Sequence, residues 1–446
     1  MISDLQSRDW MHKLLDQSVK NLPAQNPKWL KKVRQRARQS LEVIEVPNRK
    51  QEAWRYSNVE QLLTLSPNVA SPATVENDIE PIENWIYKPE QSYRLVFING
   101  RCAPALSNIT DLPCNMTIGS LRAMIAVEPE LVAKYLGELE NKQQNAFSVL
   151  NRALINDGLF VYIPSNTQAD KPIEIVHLSG QTDNNIASHT RNIIVLGQGA
   201  EATIVERYAG VDNPLHFYNG VTELFLEENS QLTHYGINEQ NNNSYHLEQR
   251  HVSQKENSHY FNTQFSTGSI WAKTDINITL GGSGADCELN GLYMVGDRQL
   301  SDIHLNVVHK AAHCNSLENF KGILLGKGRA VFDGRILVEK DAQKSNAHLS
   351  NKNLLLTRDA EVDTKPQLEI LADDVKCSHG TTVGQLDSNQ IFYMRSRGLS
   401  VEKAKELLCV SFASEIIEKI AHNEVQTYLE NVVRVSILAA VLHGGE

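Results

Sequence analysis

Between about residues 92 and 395 the chain repeats one pattern: a short β-branched segment, a polar corner, another short segment. "RNIIVLGQGAEATIVERY", "NGVTELFLEENSQLTHYG", "DINITLGGSGADCELNGLYMV" and "GRAVFDGRILVEKDAQ" all have this form. Taking Ala312, Gly328, Ala342, Ala360 and Val375 as equivalent corners gives intervals of about 16, 14, 18 and 15. Upstream, Gly199, Asn229, Asn257, Gly284 and Ala311 lie about 27–30 apart, roughly two short intervals. A strand unit this small cannot bury its own apolar face, but stacked units make a continuous core. The pattern therefore predicts a mainly β chain built on a parallel β-helix. At about 30 residues per coil it predicts roughly ten coils and a stack about 50 Å long. In "PQLEILADD", Leu368 and Ile370 share one face while Gln367 and Glu369 take the other. A jelly roll or sandwich is the alternative, because the repeat is uneven.

Helical flanks bound this core, and the expected regions are 1–90, 91–395 and 396–446. Near the start, Trp10, Leu14 and Leu15 recur at turn spacing. In "NPKWLKKVRQRARQSLEVIE", Trp29, Leu30, Val33, Ala37 and Leu41 form a stripe opposite Lys31, Lys32, Arg34, Arg36 and Arg38. That basic side reads as a solvated helix face rather than a nucleic-acid surface. The whole-chain balance agrees: 43 Lys and Arg against 53 Asp and Glu, a formal charge of -10, argues against phosphate-backbone binding. At the other end, Ser400 is placed to cap a helix with Glu402 in its first turn. Ala404, Leu407, Leu408, Phe412, Ile416, Ile417 and Ile420 make one stripe, and Val425, Tyr428, Leu429, Val432 and Val435 a second. This helical hairpin either caps the solenoid end or offers its faces to another subunit.

The six cysteines (102, 114, 287, 314, 377 and 409) include no CxxC pair, which points to a reducing compartment. With no leader-like start and no apolar run long enough to span a bilayer, the expectation is a cytoplasmic protein without membrane partners. GxSxG, HExxH and a Walker A loop are absent, and "GGSGAD" reads as a corner, so no nucleotide site of its own is expected. The cluster His304, His309, His313 and Cys314 tempts a zinc reading. Its residues differ in strand parity and diverge, so polar surface and corner positions are the expectation. "DDVKCSHGTTVG" sets Cys377 and His379 two apart, hence on one face of a strand. Thiolate and imidazole both suit iron and iron–sulfur clusters. Two ligands do not close a site, so three readings stand: a metal site shared with another chain, a nucleophile with its base, or a pair without ligand duty.

"FKGILLGKGRAVFDGRILVEKDAQKSNAHLSNKNLLL", "AEVDTKPQLEILADDVKCSHGTTVGQLD" and "IFYMRSRGLSVEKAKELL" resemble the SufD family, and so does "VPNRKQEAWRYSNV" near the N-terminus. The resemblance implies a non-enzymatic subunit of the Suf iron–sulfur assembly scaffold. It implies pairing with SufB through the β-helix ends, with the SufC ATPase held by the C-terminal helices. Acceptor proteins would be served indirectly. It implies that a transient cluster is shared with SufB, with His379 as a ligand and Cys377 as an interface cysteine of less certain role. Leu407, Leu408 and Phe412 would lie in the SufC-docking region. Two competing readings remain: a β-helix enzyme, which demands a groove lined with aromatic and acidic residues, and a structural partner whose paralogue does all the ligation.

Overall fold

The computed structural model describes residues 4–19, 27–70, 85–113, 115–140, 144–180, 185–210 and 215–443. It opens with helices α1 (Asp4–Val19), α2 (Lys28–Leu41) and α3 (Glu60–Leu63). Then come short strands β1 (Asn68–Val69), β2 (Tyr93–Ile98), β3 (Arg101–Cys102) and β4 (Thr117–Ser120), and helices α4 (Leu121–Val127), α5 (Pro129–Tyr135) and α6 (Ala146–Ala153).

From residue 159 the chain winds as a solenoid of about seven turns, laying strands alternately on two sheets. The first sheet takes β5 (Leu159–Ile163), β7 (Ile186–Leu196), β9 (His216–Leu226), β11 (Tyr245–Gln254), β13 (Trp271–Leu280), β15 (Leu300–His309), β17 (Arg329–Val338) and β19 (Glu361–Ile370). The second takes β6 (Ile173–Ser179), β8 (Glu201–Gly210), β10 (Gln231–Glu239), β12 (His259–Ser266), β14 (Asp286–Val295), β16 (Asn315–Leu324), β18 (Asn346–Leu355) and β20 (Lys376–Gly384). The solenoid strands pair with their neighbours in parallel; among the described strands, β3 joins β2 and β4 joins β5 antiparallel. Glu201, Gln231, His259, Asp286, Asn315, Asn346 and Lys376 stand in one file, 30, 28, 27, 29, 31 and 30 residues apart. The expected repeat length is therefore present. The expected ten coils are not: among the described strands between residues 93 and 158 only β2 stacks in parallel, on β6, and the other described elements there are short antiparallel strands and helices.

One corner explains why the repeat is readable. Asn166, Gly199, Asn229, Asn257, Gly284, His313 and Lys344 all have positive φ, between 51° and 71°. Each donates its N–H to a carbonyl of the next coil, as Asn229 does to Glu256 at 2.8 Å and Lys344 to Asp374 at 2.7 Å. Asn and Gly tolerate this conformation best. At Gly284 a Cβ would lie 2.4 Å from the Asn257 side-chain oxygen, so a larger residue there would have to displace that side chain. The corner after β15 falls on His313, two residues past Ala311.

Inside, apolar files such as Ile194–Leu224–Val252–Ile278–Val307–Ile336 line the first sheet. The interior is nonetheless partly polar. Buried Glu206 lies 2.9 Å from His177 Nε2 and 3.3 Å from His234 Nε2, and buried Glu248 pairs with Arg250 at 2.7 Å. Burial opposes ionisation of Glu206, but its hydrogen bonds to the two imidazoles hold its pKa well below the usual carboxylate range.

The flanking helices cover the sides of the solenoid, not its far end. Trp10, Leu14 and Leu15 of α1 pack with Trp54 on Phe217, Tyr245 and Trp271 of the first sheet. Arg34 departs from the expected solvated side: it is buried, and its Nε donates to the Ile155 carbonyl at 2.9 Å. After α7 (Ser388–Ser396), helices α8 (Val401–Ile417) and α9 (Asn423–His443) lie on the outer face of the second sheet. There Cys409, Ala413, Ile416, Val425 and Leu429 meet Tyr235, Ile237, Phe265, Leu292 and Ile323. The Ser400 hydroxyl caps α8 by accepting from the Lys403 N–H at 3.1 Å. Among the described residues no helix is long and apolar enough to cross a membrane.

Candidate functional site

β19 and β20 are the last strands of their sheets, each with one edge unpaired. Ile370, Leu371 and Val383 are exposed beside those edges, as are Phe392 and Tyr393 on α7. An unprotected strand edge with apolar neighbours is a template for pairing.

Register decides where Cys377 and His379 point. Cys377 pairs with Ala347 and His379 with Leu349, both buried core residues of β18. In stacked parallel strands a file keeps one orientation, so Cys377 and His379 face the solenoid interior. They are reachable because the stack stops there. Cys377 is partly buried against the core, while His379 is exposed. Strand parity alone gave them a shared face; the register makes it the inner one. Alignment of the 30-residue repeat, which places Ala347 and Leu349 under Cys377 and His379, was the signal that could have revealed it. Burial pushes the Cys377 thiol pKa up, and nearby Glu318 acts in the same direction, so the resting thiol is protonated. Behind this rim Tyr293, Asn351, Asn353 and Thr364 form a closed hydrogen-bonded set, with Asn353 donating to Asn351 at 2.7 Å and Thr364 to Asn351 at 2.9 Å.

A thiol and an imidazole on one face can hold a soft or borderline cation jointly. Among the described residues no group of three or more His, Cys, Asp or Glu is arranged to hold a metal ion. The other candidates separate, but not all onto the surface: His309 and Cys314 are buried. His304 sits on the outer face 2.8 Å from Asp302, and His309 is buried with Nε2 2.9 Å from the Ser316 hydroxyl. His313 is the corner residue, and Cys314 is buried near the Gly282 carbonyl. Cys102, Cys287 and Cys409 are unpaired, and Cys114 lies outside the described residues.

The structure does contain a groove that the sequence did not suggest. About 710 Å³ in volume, it lies on the outer face of the first sheet beneath residues 44–54. Trp54, Asp275, His304, Asp333, Arg335 and Lys365 help to line it. Its carboxylates are engaged: Asp275 with Lys273 at 3.0 Å, Asp333 with Gln367 at 3.1 Å, and Glu52 with Lys365.

Of the proposed docking residues, Leu407 is exposed and Leu408 half-buried. Phe412 is half-buried against this chain's own solenoid, with Lys321 Nζ 4.3 Å from its ring centre. Val435 and Leu438 of α9 are also exposed.

Comparison with known proteins agrees with this architecture. Residues 178–412 match the family model for the SUF system FeS cluster assembly SufBD core domain, and residues 6–175 match the SufBD protein N-terminal region. An iron-sulfur cluster assembly SufBD family protein of Synechocystis is 33% identical over 408 residues, covering 90% of this chain and 89% of the relative. The iron-sulfur cluster assembly protein SufD of Escherichia coli is 32% identical over 378 residues, covering 84% and 85%. The chloroplastic protein ABCI7 of Arabidopsis thaliana is 28% identical over 412 residues, covering 91% and 86%. On this evidence the chain belongs to the SufBD family of iron–sulfur cluster assembly proteins and is a homologue of SufD.

Proposed function

We propose that this chain is a non-enzymatic half of an assembly scaffold, supplying His379 and Cys377 to a nascent iron–sulfur cluster that a second subunit completes. The observation that carries the reading is two soft-metal donors on the interior face of the last strand, left reachable at an unpaired solenoid end, with no third ligand beside them among the described residues. The partner whose β-helix would abut β19 and β20 is the paralogue SufB. The helical region 396–446, with Leu407 and Leu408 and with Phe412 at its base, is the docking place for the SufC ATPase, whose nucleotide cycle would move the two solenoid ends. Acceptor proteins would take the finished cluster, and the complex would work in the cytoplasm. A ligand set split across an interface opens when the subunits move, so the cluster is cargo and not a resident cofactor. The helical region 1–90 and the solenoid region 91–395 then serve as brace and platform.

The test reconstitutes the complex of this chain with SufB and SufC anaerobically with iron and sulfide, and compares wild type with His379→Ala by visible absorbance. Loss of the cluster bands from an intact complex supports ligation by this chain. Unchanged bands would make His379 a bystander and the chain a structural partner only.

A further inference from the structure

The solenoid interior holds a carboxyl that the proposed ligand pair does not use. Glu318, on β16, is fully buried, with the Ser316 hydroxyl as its side-chain hydrogen-bond neighbour and no cationic partner. It stands in the file Leu289–Glu318–Leu349–His379, two strands and about 10 Å inside His379. The adjoining file is Cys287–Ser316–Ala347–Cys377, and the carboxyl is within electrostatic reach of both thiols. Ser316 beside it is already held by buried, neutral His309. Across the interior, β15 and β17 contribute buried Ile303, Leu305 and Phe332, and no cation acts on the group. A carboxyl so placed is kept protonated by burial, its pKa pushed up to about 8.

A native protein has no packing reason to keep an acid where a leucine fits its neighbours. An ion arriving at the open end supplies one. We infer that Glu318 is the counter-charge of the open end: neutral while Cys377 and His379 are free, and ionised, with its proton released to solvent, when a divalent cation sits on them. This rests on the ligand reading above. With Cys377 bound as thiolate the net charge gained is about +1; without it, +2. At about 10 Å and an effective dielectric near 20, that favours the ionised carboxyl by roughly 15- to 300-fold. The carboxyl O–H bond breaks, the pair stays on oxygen, and no electron is transferred. Glu318 is thus a positioning residue that acts through charge and touches no ligand atom.

The experiment titrates the full chain anaerobically with cadmium, a soft cation whose thiolate charge-transfer absorbance reports Cys377 as the band lost in Cys377→Ala. An indicator dye in weak buffer counts the protons released per cadmium. At pH 7 wild type should release about 1.5, one from the thiol and the rest from Glu318, while Glu318→Gln releases about one and binds several-fold more weakly. In wild type alone the excess should vanish at pH 9, where Glu318 is already ionised. A normal thiolate band with equal proton counts in wild type and Glu318→Gln overturns the inference and leaves the ligand reading intact. Absence of the band in wild type, or a band indifferent to both Cys377→Ala and His379→Ala, overturns the ligand reading and this inference with it.

Discussion

Glu318 should also make the stability of the metal-free chain depend on pH, with a size that the structure fixes. In the unfolded chain its pKa is near 4.5, and in the native interior it is about 8. Between those values the native state holds a proton that the unfolded chain has released, so unfolding releases a proton and stability falls as pH rises. The contribution is fully present below pH 4.5 and is lost as pH climbs through 8. At pH 7 the loss amounts to about 3 kcal/mol, from 2.5 pH intervals at about 1.4 kcal/mol each. Gln has nearly the same shape and no proton to lose. Glu318→Gln should therefore gain about 3 kcal/mol on wild type between pH 4.5 and pH 7. For a chain of 446 residues that is a melting-temperature difference widening by about 3 °C. Any fixed cost of seating the amide cancels, because only the change with pH is read. Thermal melts of both proteins across this range test it. A difference that stays flat would mean that water or rearrangement satisfies the carboxylate, and the burial argument would fail.

Other perturbations probe separate elements of the fold. Glu206→Ala removes the shared partner of His177 and His234 from a buried network, and should destabilise by about 3–5 kcal/mol, lowering the melting temperature by about 3–5 °C. Asn257→Val forces a β-branched residue into φ 51° and should cost about 1–2 kcal/mol, whereas Asn257→Gly should be close to neutral in the same denaturation assay. Lys321 Nζ lies 2.5 Å from Glu415 and 3.0 Å from the Phe412 carbonyl. Lys321→Met should speed hydrogen exchange in α8 by about 5- to 30-fold, for a loss of about 1–2 kcal/mol, and leave the solenoid strands unchanged.

What could be read from the sequence follows from how local each constraint is. A left-handed corner selects Asn or Gly from within a few residues, so Gly199, Asn229, Asn257 and Gly284 mark the repeat without a structure. His313 and Lys344 occupy the same corner with the same inter-coil hydrogen bond, but their residue types do not announce it, and the spacing put the mark on Ala311 instead. Residues 93–158 contain strand-forming runs such as "YRLVFI" together with helices of seven or eight residues, too short for their period to interrupt a count of coils. Arg34 shows the limit of reasoning from one helix face. Its spacing groups it with Lys31 and Lys32, while the carbonyl that holds it belongs to Ile155.

The candidate site divides along the same line. That Cys377 and His379 share a face needs only strand parity, but which face needs the coil below. The locally alternating "SLENFKG" likewise gives no reason to turn Glu318 inward rather than Lys321. Only the stacking register, in which Glu318 lies between Leu289 and Leu349, makes it an acid in an apolar file. Sequence pattern thus singled out two candidate donors on the last strand. The register puts them on the interior face above Leu349 and Glu318, so the proposed charge response of that interior is tested by proton release, and not by ligand substitution alone.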